Sequence, residues 1–317
     1  MKKKNILIMG ISGQDGSYLA DYLLKKKNYS IYGISRKNKK IKNHIQLGID
    51  KKIKMKCMKY DNYIGLKNII MKKNISEIYF FAGQTKPVLS NLNFLETIYS
   101  NLIPVYNIID IILNYKKEVR FFNASSCEIF ASNNKILNEN SLKDPQTIYG
   151  LSKLITLEMV KFFREKYNLK ICSGILFHHE SILRDKSFVL RKIILAAKKI
   201  KEGKQKKIKL GNIEVSRDWG WAPEYVKIIH KINNQKIIED LIVASGFTVS
   251  LKILINEVFL KYNLNWKNFI HLDKSLLRDK DVIVKNANNL KIKNKLRWKP
   301  KYNAFDVVNR LMREKLH

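Results

Sequence analysis

The 317-residue sequence has no apolar run of bilayer length, only 3 cysteines and 5 prolines, and just 27 acidic residues against 61 basic ones. A membrane span needs roughly 20 consecutive apolar residues, so no membrane partner is expected. The Met-Lys-Lys-Lys start runs into a strand pattern without the apolar stretch and cleavage site of a secretory signal, which predicts a cytoplasmic protein. Cys57, Cys127 and Cys172 are odd in number, far apart and without Cys-x-x-Cys spacing. That excludes a disulfide framework and a sequence-encoded zinc site, so no metal is expected. No Gly/Ser-rich linker, repeat or low-complexity tail divides the chain.

The shortage of acids leaves a formal charge of +34, which raises the question of a nucleic-acid surface. Arginine, however, occurs only 10 times, and the 51 lysines are dispersed among abundant isoleucine and asparagine. All three residue types have A/T-rich codons, so a coding bias explains the charge and no nucleic-acid partner is expected. The positive field still draws anionic substrates.

What is present is an alternation. Asn5–Met9, Ser30–Ile34, Ile53–Met58, Ile78–Phe81, Arg120–Asn123 and Lys170–Leu176 read as strands. Gly16–Lys27, Leu66–Lys73, Phe94–Tyr115 and Tyr149–Tyr167 carry helical periodicity between them. Strands alternating with helices predict an α/β, Rossmann-like doubly wound parallel sheet over residues 1–175. Beyond it, residues 176–317 predict a smaller mixed α/β substrate lobe, with short helices at Ser187–Lys201, Pro223–Lys231, Leu251–Tyr262 and Ala304–Arg313. The boundary is soft, and the two parts are expected to interleave.

Directly behind the first strand, Gly10, Gly13 and Gly16 are spaced G-x-x-G-x-x-G and lead into a helix. Such a turn brings helix N–H groups up to an anion, as a dinucleotide pyrophosphate requires; a tight turn with no ligand is the plainer alternative. Arg36 follows the second strand, where a cation suits the 2′-phosphate of NADP, although it and Lys37 also read as surface cations.

Tyr149 and Lys153 form Y-x-x-x-K on one helix face. An ammonium beside a phenol favours phenolate, so the tyrosine can take a proton from a sugar hydroxyl. Upstream, N-A-S-S-C-E-I-F places Ser125, Ser126 and Glu128 at a strand's carboxyl end. Glu128 allows a second proton transfer beyond hydride exchange, while Cys127 reads as structural. Adjacent His178 and His179 with Glu180 read as a polar wall around cofactor and sugar, since i,i+1 ligands diverge. Arg184, Arg191, Arg217 and Arg278 stand out where lysine is the default cation; the guanidinium fork clasps phosphates bidentately. Arg217 also has Asp218 beside it as a local partner.

GISGQDGSYLA, YGISRK, AGQT, NASSCEIF, YGLSK, GILFHHES, LGNIEVSRDWGWAPEYV and KLRWKP occur in an order that resembles the GDP-mannose 4,6-dehydratases of the extended short-chain dehydrogenase/reductase group, from about residue 5 to 300. The resemblance implies that Gly10, Gly13, Gln14, Asp15 and Gly16 cradle an NADP pyrophosphate and that Arg36 meets the 2′-phosphate. It implies that Ala82, Gly83 and Gln84 border the cofactor with Tyr149, Lys153, His179 and Arg184. Ser126, Glu128, Tyr149 and Lys153 are implied to be catalytic. His178, Glu180, Ser181, Arg191, Arg217 and Arg278 are expected on the nucleotide-sugar side. The sequence departs from the family at Ser126, commonly threonine, at Lys86 and Pro87, at Ile182 and Asp279, which replace prolines, and at His178, which replaces asparagine. One register puts Asp61 at the adenine-contacting position and another Lys59.

The implied reaction converts GDP-D-mannose to GDP-4-dehydro-6-deoxy-D-mannose plus water, toward deoxyhexose synthesis, by a hydro-lyase that forms a homodimer or homotetramer. The nearest alternative is a nucleotide-sugar 4-epimerase or 4-reductase, which needs no carboxylate at C5–C6. A more distant one is an inactive nucleic-acid-binding or regulatory protein, marked by salt-dependent binding without cofactor.

Overall fold

Ile6, Leu7, Ile8 and Met9 are fully buried, and a strand with no polar face can sit only in the middle of a covered sheet. The computed structural model describes residues 3–36, 40–83, 93–130, 136–277 and 282–313. It places Lys4–Met9 inside a seven-stranded parallel sheet. In spatial order the strands are Leu241–Val243, Ile171–Leu176, Arg120–Ser126, Ile75–Phe80, Lys4–Met9, Tyr29–Ser35 and Lys54–Cys57. The chain winds outward in both directions from the pair Lys4–Met9 and Ile75–Phe80. Ligands of such sheets bind at that reversal, beyond the strands' carboxyl ends.

Two apolar layers cover the sheet. On one face, helices Gln14–Lys25 and Ala222–Asn233 pack with Leu19, Leu23, Ile229 and Ile232. On the other, Tyr63–Lys72, Ile103–Tyr115 and Ile148–Tyr167 contribute Leu66, Ile70, Ile108, Ile112 and Val160.

The single helix expected over Phe94–Tyr115 is two helices, Phe94–Asn101 and Ile103–Tyr115. Pro104 lies in the first turn of the second, where its missing N–H is tolerated; a continuous helix would need that donor. The chain also returns to the main sheet after leaving it, because the edge strand Leu241–Val243 pairs with Ile171–Leu176. Three residues carry too little periodicity to be read as a strand.

The other lobe is built on a four-stranded sheet ordered Thr248–Ser250, Ser216–Asp218, Val284–Ala287 and Ile136–Leu137. Its core joins helices Val189–Lys201, Leu251–Leu260 and Ala304–Arg313 around Trp219, Trp221 and Phe259. Asp218 fastens the loop after the edge strand by accepting the N–H groups of Ser245, Gly246 and Phe247 at 2.8, 2.6 and 3.1 Å. No helix among the described residues is long and apolar enough to cross a membrane.

Candidate active site

The first strand ends at Gly10, whose φ of +82° and close approach to the next strand exclude a side chain: a Cβ would lie 2.6 Å from the Ala82 nitrogen. The turn closes with Gly13 N–H donating to the Gly10 carbonyl at 3.0 Å. Helix Gln14–Lys25 then starts with no side-chain cap at Gly13, so its first N–H groups remain available to an anion. A bare cradle before a helix N-terminus, at the reversal of the sheet, fits a dinucleotide pyrophosphate.

Gln14 and Asp15 are tied to the segment after strand Ile171–Leu176. Ser181 Oγ donates to Gln14 Oε1 at 2.7 Å, and Asp15 Oδ1 lies 3.0 Å from His179 Nε2. Burial works against the Asp15 charge, but His179 outweighs it and holds the carboxyl below its ordinary range. Gly83, at φ +112°, follows Ala82 at the next strand's exit. Arg36 lies at the end of Tyr29–Ser35, largely exposed, 3.7 Å from Glu96 and with its guanidinium 5.8 Å from the Tyr60 ring centre. Tyr60 is buried between exposed Lys59 and Asp61, and burial raises its phenol against the opposing Arg36 charge and nearby Gly10 backbone; no sequence pattern marks it.

Strand Arg120–Ser126 ends at the pair Ser126 and Glu128. Ser126 Oγ accepts the Glu128 N–H at 3.2 Å, which turns the chain tightly and keeps both side chains at one lip. Helix Ile148–Tyr167 begins beside them, capped by Thr147, whose hydroxyl accepts the Gly150 N–H at 3.0 Å. Its first turn places the Tyr149 side chain beside Ser126. Lys153, one turn on, donates to the Ala124 carbonyl at 2.8 Å, with Nζ 5.8 Å from the Tyr149 ring centre. Burial raises the Tyr149 phenol above its ordinary value and lowers Lys153 to about 8.

Ser126, Glu128, Tyr149 and Lys153 all line one cavity of about 480 Å³, together with Asp15, His178, His179, Glu180, Arg184 and Arg217. Burial and then the Arg217 charge keep His178 neutral, while burial raises Glu180. The Arg184 guanidinium stacks 3.8 Å from the Phe188 ring centre, its Nε 3.9 Å from Glu180 Oε1. Arg217 donates to the carbonyls of Ser216 and Ile283. Ser181 and Arg191 are buried and do not line the cavity. Ser181 braces the glycine turn, and Arg191 favours the ionised form of Glu180. Gln84 and Arg278, with Lys37, Lys86, Pro87 and Asp279, lie outside the described residues.

Cys127, Glu128 and His178 converge, with ligating atoms all within 4.8 Å, a meeting that their spacing in the chain did not disclose. A cation is disfavoured there by Lys285, whose Nζ sits 2.9 Å from Glu128 Oε2, and by Arg217. Burial also raises the Cys127 thiol to about 12, so it remains protonated. Burial opposes ionisation of Glu128 as well, but the Lys285 ammonium prevails and lowers its carboxyl to about 2.

A family profile described as GDP-mannose 4,6 dehydratase matches residues 7–311. GDP-mannose 4,6 dehydratase 1 of Arabidopsis thaliana is 31% identical over 99% of this chain and 90% of its own length. The GDP-mannose 4,6 dehydratase of Homo sapiens is 31% identical over 100% and 91%. The dTDP-glucose 4,6-dehydratase of Bacillus anthracis, solved in complex with NAD, superposes with a TM-score of 0.85 over 98% of this chain and 95% of that one; at 16% identity it speaks for the fold alone. With the profile spanning nearly the whole chain and full-length relatives agreeing, the chain belongs to the GDP-mannose 4,6-dehydratase family of nucleotide-sugar hydro-lyases.

Proposed function

We propose that this chain dehydrates GDP-D-mannose to GDP-4-dehydro-6-deoxy-D-mannose with NADP as its cofactor. The observation that carries the reading is a carboxylate, Glu128, in one cavity with the Ser126, Tyr149 and Lys153 set. Proton exchange at O4 needs only Tyr149, whereas elimination across C5–C6 needs a second acid/base group.

Gly10, Gly13, Gln14, Asp15 and Gly16 would hold the pyrophosphate. Ala82, Gly83, His179 and Arg184 would border the cofactor, with Arg36 at the 2′-phosphate. Bound NADP supplies a hydride acceptor at C4 and later the donor at C6. Tyr149 takes the O4 proton as a phenolate, the Lys153 charge working against the burial that favours the phenol and the Ser126 hydroxyl fixing the geometry. The 4-ketone acidifies C5–H, and Glu128 takes that proton. As the C6–O bond breaks, the same proton leaves with the hydroxyl as water; once C6 is reduced, C5 takes up a solvent-derived proton, which balances the O4 proton released through Tyr149. Arg217 is assigned to the GDP portion, with His178 and Glu180 on the sugar side.

A homodimer is proposed through helices Phe94–Asn101 and Ile148–Tyr167, which leave Leu95, Tyr99 and Phe162 more than half exposed; apolar groups clustered on packed helices suit a partner. The place of action proposed is the cytoplasm. Incubation with GDP-mannose and catalytic NADP, followed by mass spectrometry, tests the reading: a product lighter by one water supports it. Bound cofactor with an unchanged sugar nucleotide, or an isomer of equal mass, would replace it with another substrate or with epimerisation.

A further inference from the structure

Strands Ser216–Asp218 and Val284–Ala287 run parallel, with Arg217 registered against Lys285. Registered residues on neighbouring strands project from the same face, and like charges there destabilise the pair. The fold therefore sets two buried cations side by side, an arrangement that calls for an anion. Lys285 is 1% exposed, and lysine is almost never so buried without a partner. Its Nζ donates to the Cys127 carbonyl at 3.1 Å and meets Glu128 Oε2 at 2.9 Å.

The two oxygens of Glu128 thus have different surroundings. Oε2 is gripped by an ammonium that does not line the cavity, whereas Oε1 lies 4.0 Å from His178 Nε2, which does. We infer that Lys285 is a positioning residue for the elimination: it anchors Oε2 from behind and presents the carboxylate to the substrate through Oε1. This rests on the dehydratase reading. In the step it serves, the C5–H bond breaks and its proton goes to Glu128. The C6–O bond then breaks, and hydroxide departs with that proton as water.

The charged and titratable groups facing Glu128 are Lys285 and Arg217 from the two strands, His178 from the segment after Ile171–Leu176, and Cys127 and Tyr149 beside it. His178 is held neutral by burial, the thiol is protonated, and Tyr149 is a phenol. The Lys285 ammonium is therefore the contact charge that keeps the carboxyl ionised, a state that burial alone would oppose.

The test uses Lys285→Met and Lys285→Arg beside the wild type, with Glu128→Gln as the reference for infrared difference spectra of the protonated carboxyl. In substrate-free protein, Glu128 of Lys285→Met is expected to take up its proton about 1 to 3 pH units higher than in the wild type. The acidic limb of the rate of water loss should move up with it; at neutral pH, where the carboxylate stays ionised in both proteins, loss of the anchor on Oε2 should lower kcat tenfold or more with the GDP-mannose KM nearly unchanged. Lys285→Arg should restore most of the rate. Lys285→Gln, which keeps a donor for the Cys127 carbonyl without the charge, repeats the comparison should the methionine variant not fold. No water loss by the wild type overturns the dehydratase reading, and the role of Lys285 with it. Water loss by the wild type together with an unmoved Glu128 band, or an undiminished rate in the uncharged variant, overturns the role of Lys285 alone.

Discussion

Gly150 stands directly against the main-chain carbonyl of Glu128, so closely that a Cβ would overlap the carbonyl oxygen. The helix that carries Tyr149 is thereby seated on the turn that carries Glu128, and one glycine sets the distance between the two groups to which we assign proton transfer. Gly150→Ala is expected to force them apart, at a cost of about 1 to 3 kcal/mol in stability for the added methyl. Turnover should fall at least tenfold. Thermal unfolding beside steady-state kinetics checks both, with cofactor affinity expected to stay nearly constant.

Lys153 separates activity from stability. Burial lowers its folded pKa to about 8 from 10.5, so between those values the unfolded chain binds more protons and stability rises with pH. Below about pH 8 the full penalty of the buried charge is present, on the order of 3 kcal/mol. Lys153→Met should therefore unfold at a higher temperature than the wild type at pH 7, with the gap closing from pH 8 to pH 10.5. Its activity should be lower by two or more orders of magnitude. Paired unfolding curves across that range check the sign.

Ser181 is buried behind the cavity. Its hydroxyl donates to Gln14 and accepts the Leu183 N–H at 3.2 Å, locking the glycine turn to the HHES segment. Ser181→Ala removes a buried bond worth about 1 kcal/mol. NADP should bind roughly fivefold more weakly, while the sugar-nucleotide KM measured at saturating cofactor stays within twofold. Fluorescence titration of cofactor separates this from direct sugar contact.

Exposed Leu95, Tyr99 and Phe162 bear on assembly. A charge at Tyr99 or Phe162 should weaken self-association at least tenfold, because a buried unpaired charge opposes an apolar interface. Light scattering across a dilution series of Tyr99→Glu and Phe162→Glu reads the shift directly. An unchanged dimer would remove these helices from the interface.

Features that lie within one continuous segment were legible in the sequence. The glycine turn and Y-x-x-x-K depend on spacings of three and four, which strand exit and helix pitch convert straight into geometry. The proline that divides the helix over Phe94–Tyr115 was also in view, and it outweighed the apolar periodicity on both sides of it. Lys285 was not legible. It is one of 51 lysines, and its meeting with Glu128 depends on the register of Val284–Ala287 against Ser216–Asp218, which no local pattern encodes. The convergence of Cys127 with His178 and the contact of Tyr60 with Gly10 are likewise products of topology.

The most direct measurement is the reaction of GDP-mannose with catalytic NADP in heavy water, comparing the wild type with Glu128→Gln by mass spectrometry and proton NMR. The account predicts that the wild type releases one water and returns a 6-deoxy product carrying deuterium at C5, while Glu128→Gln does neither yet still binds the cofactor. Water loss by Glu128→Gln at the wild-type rate would contradict it.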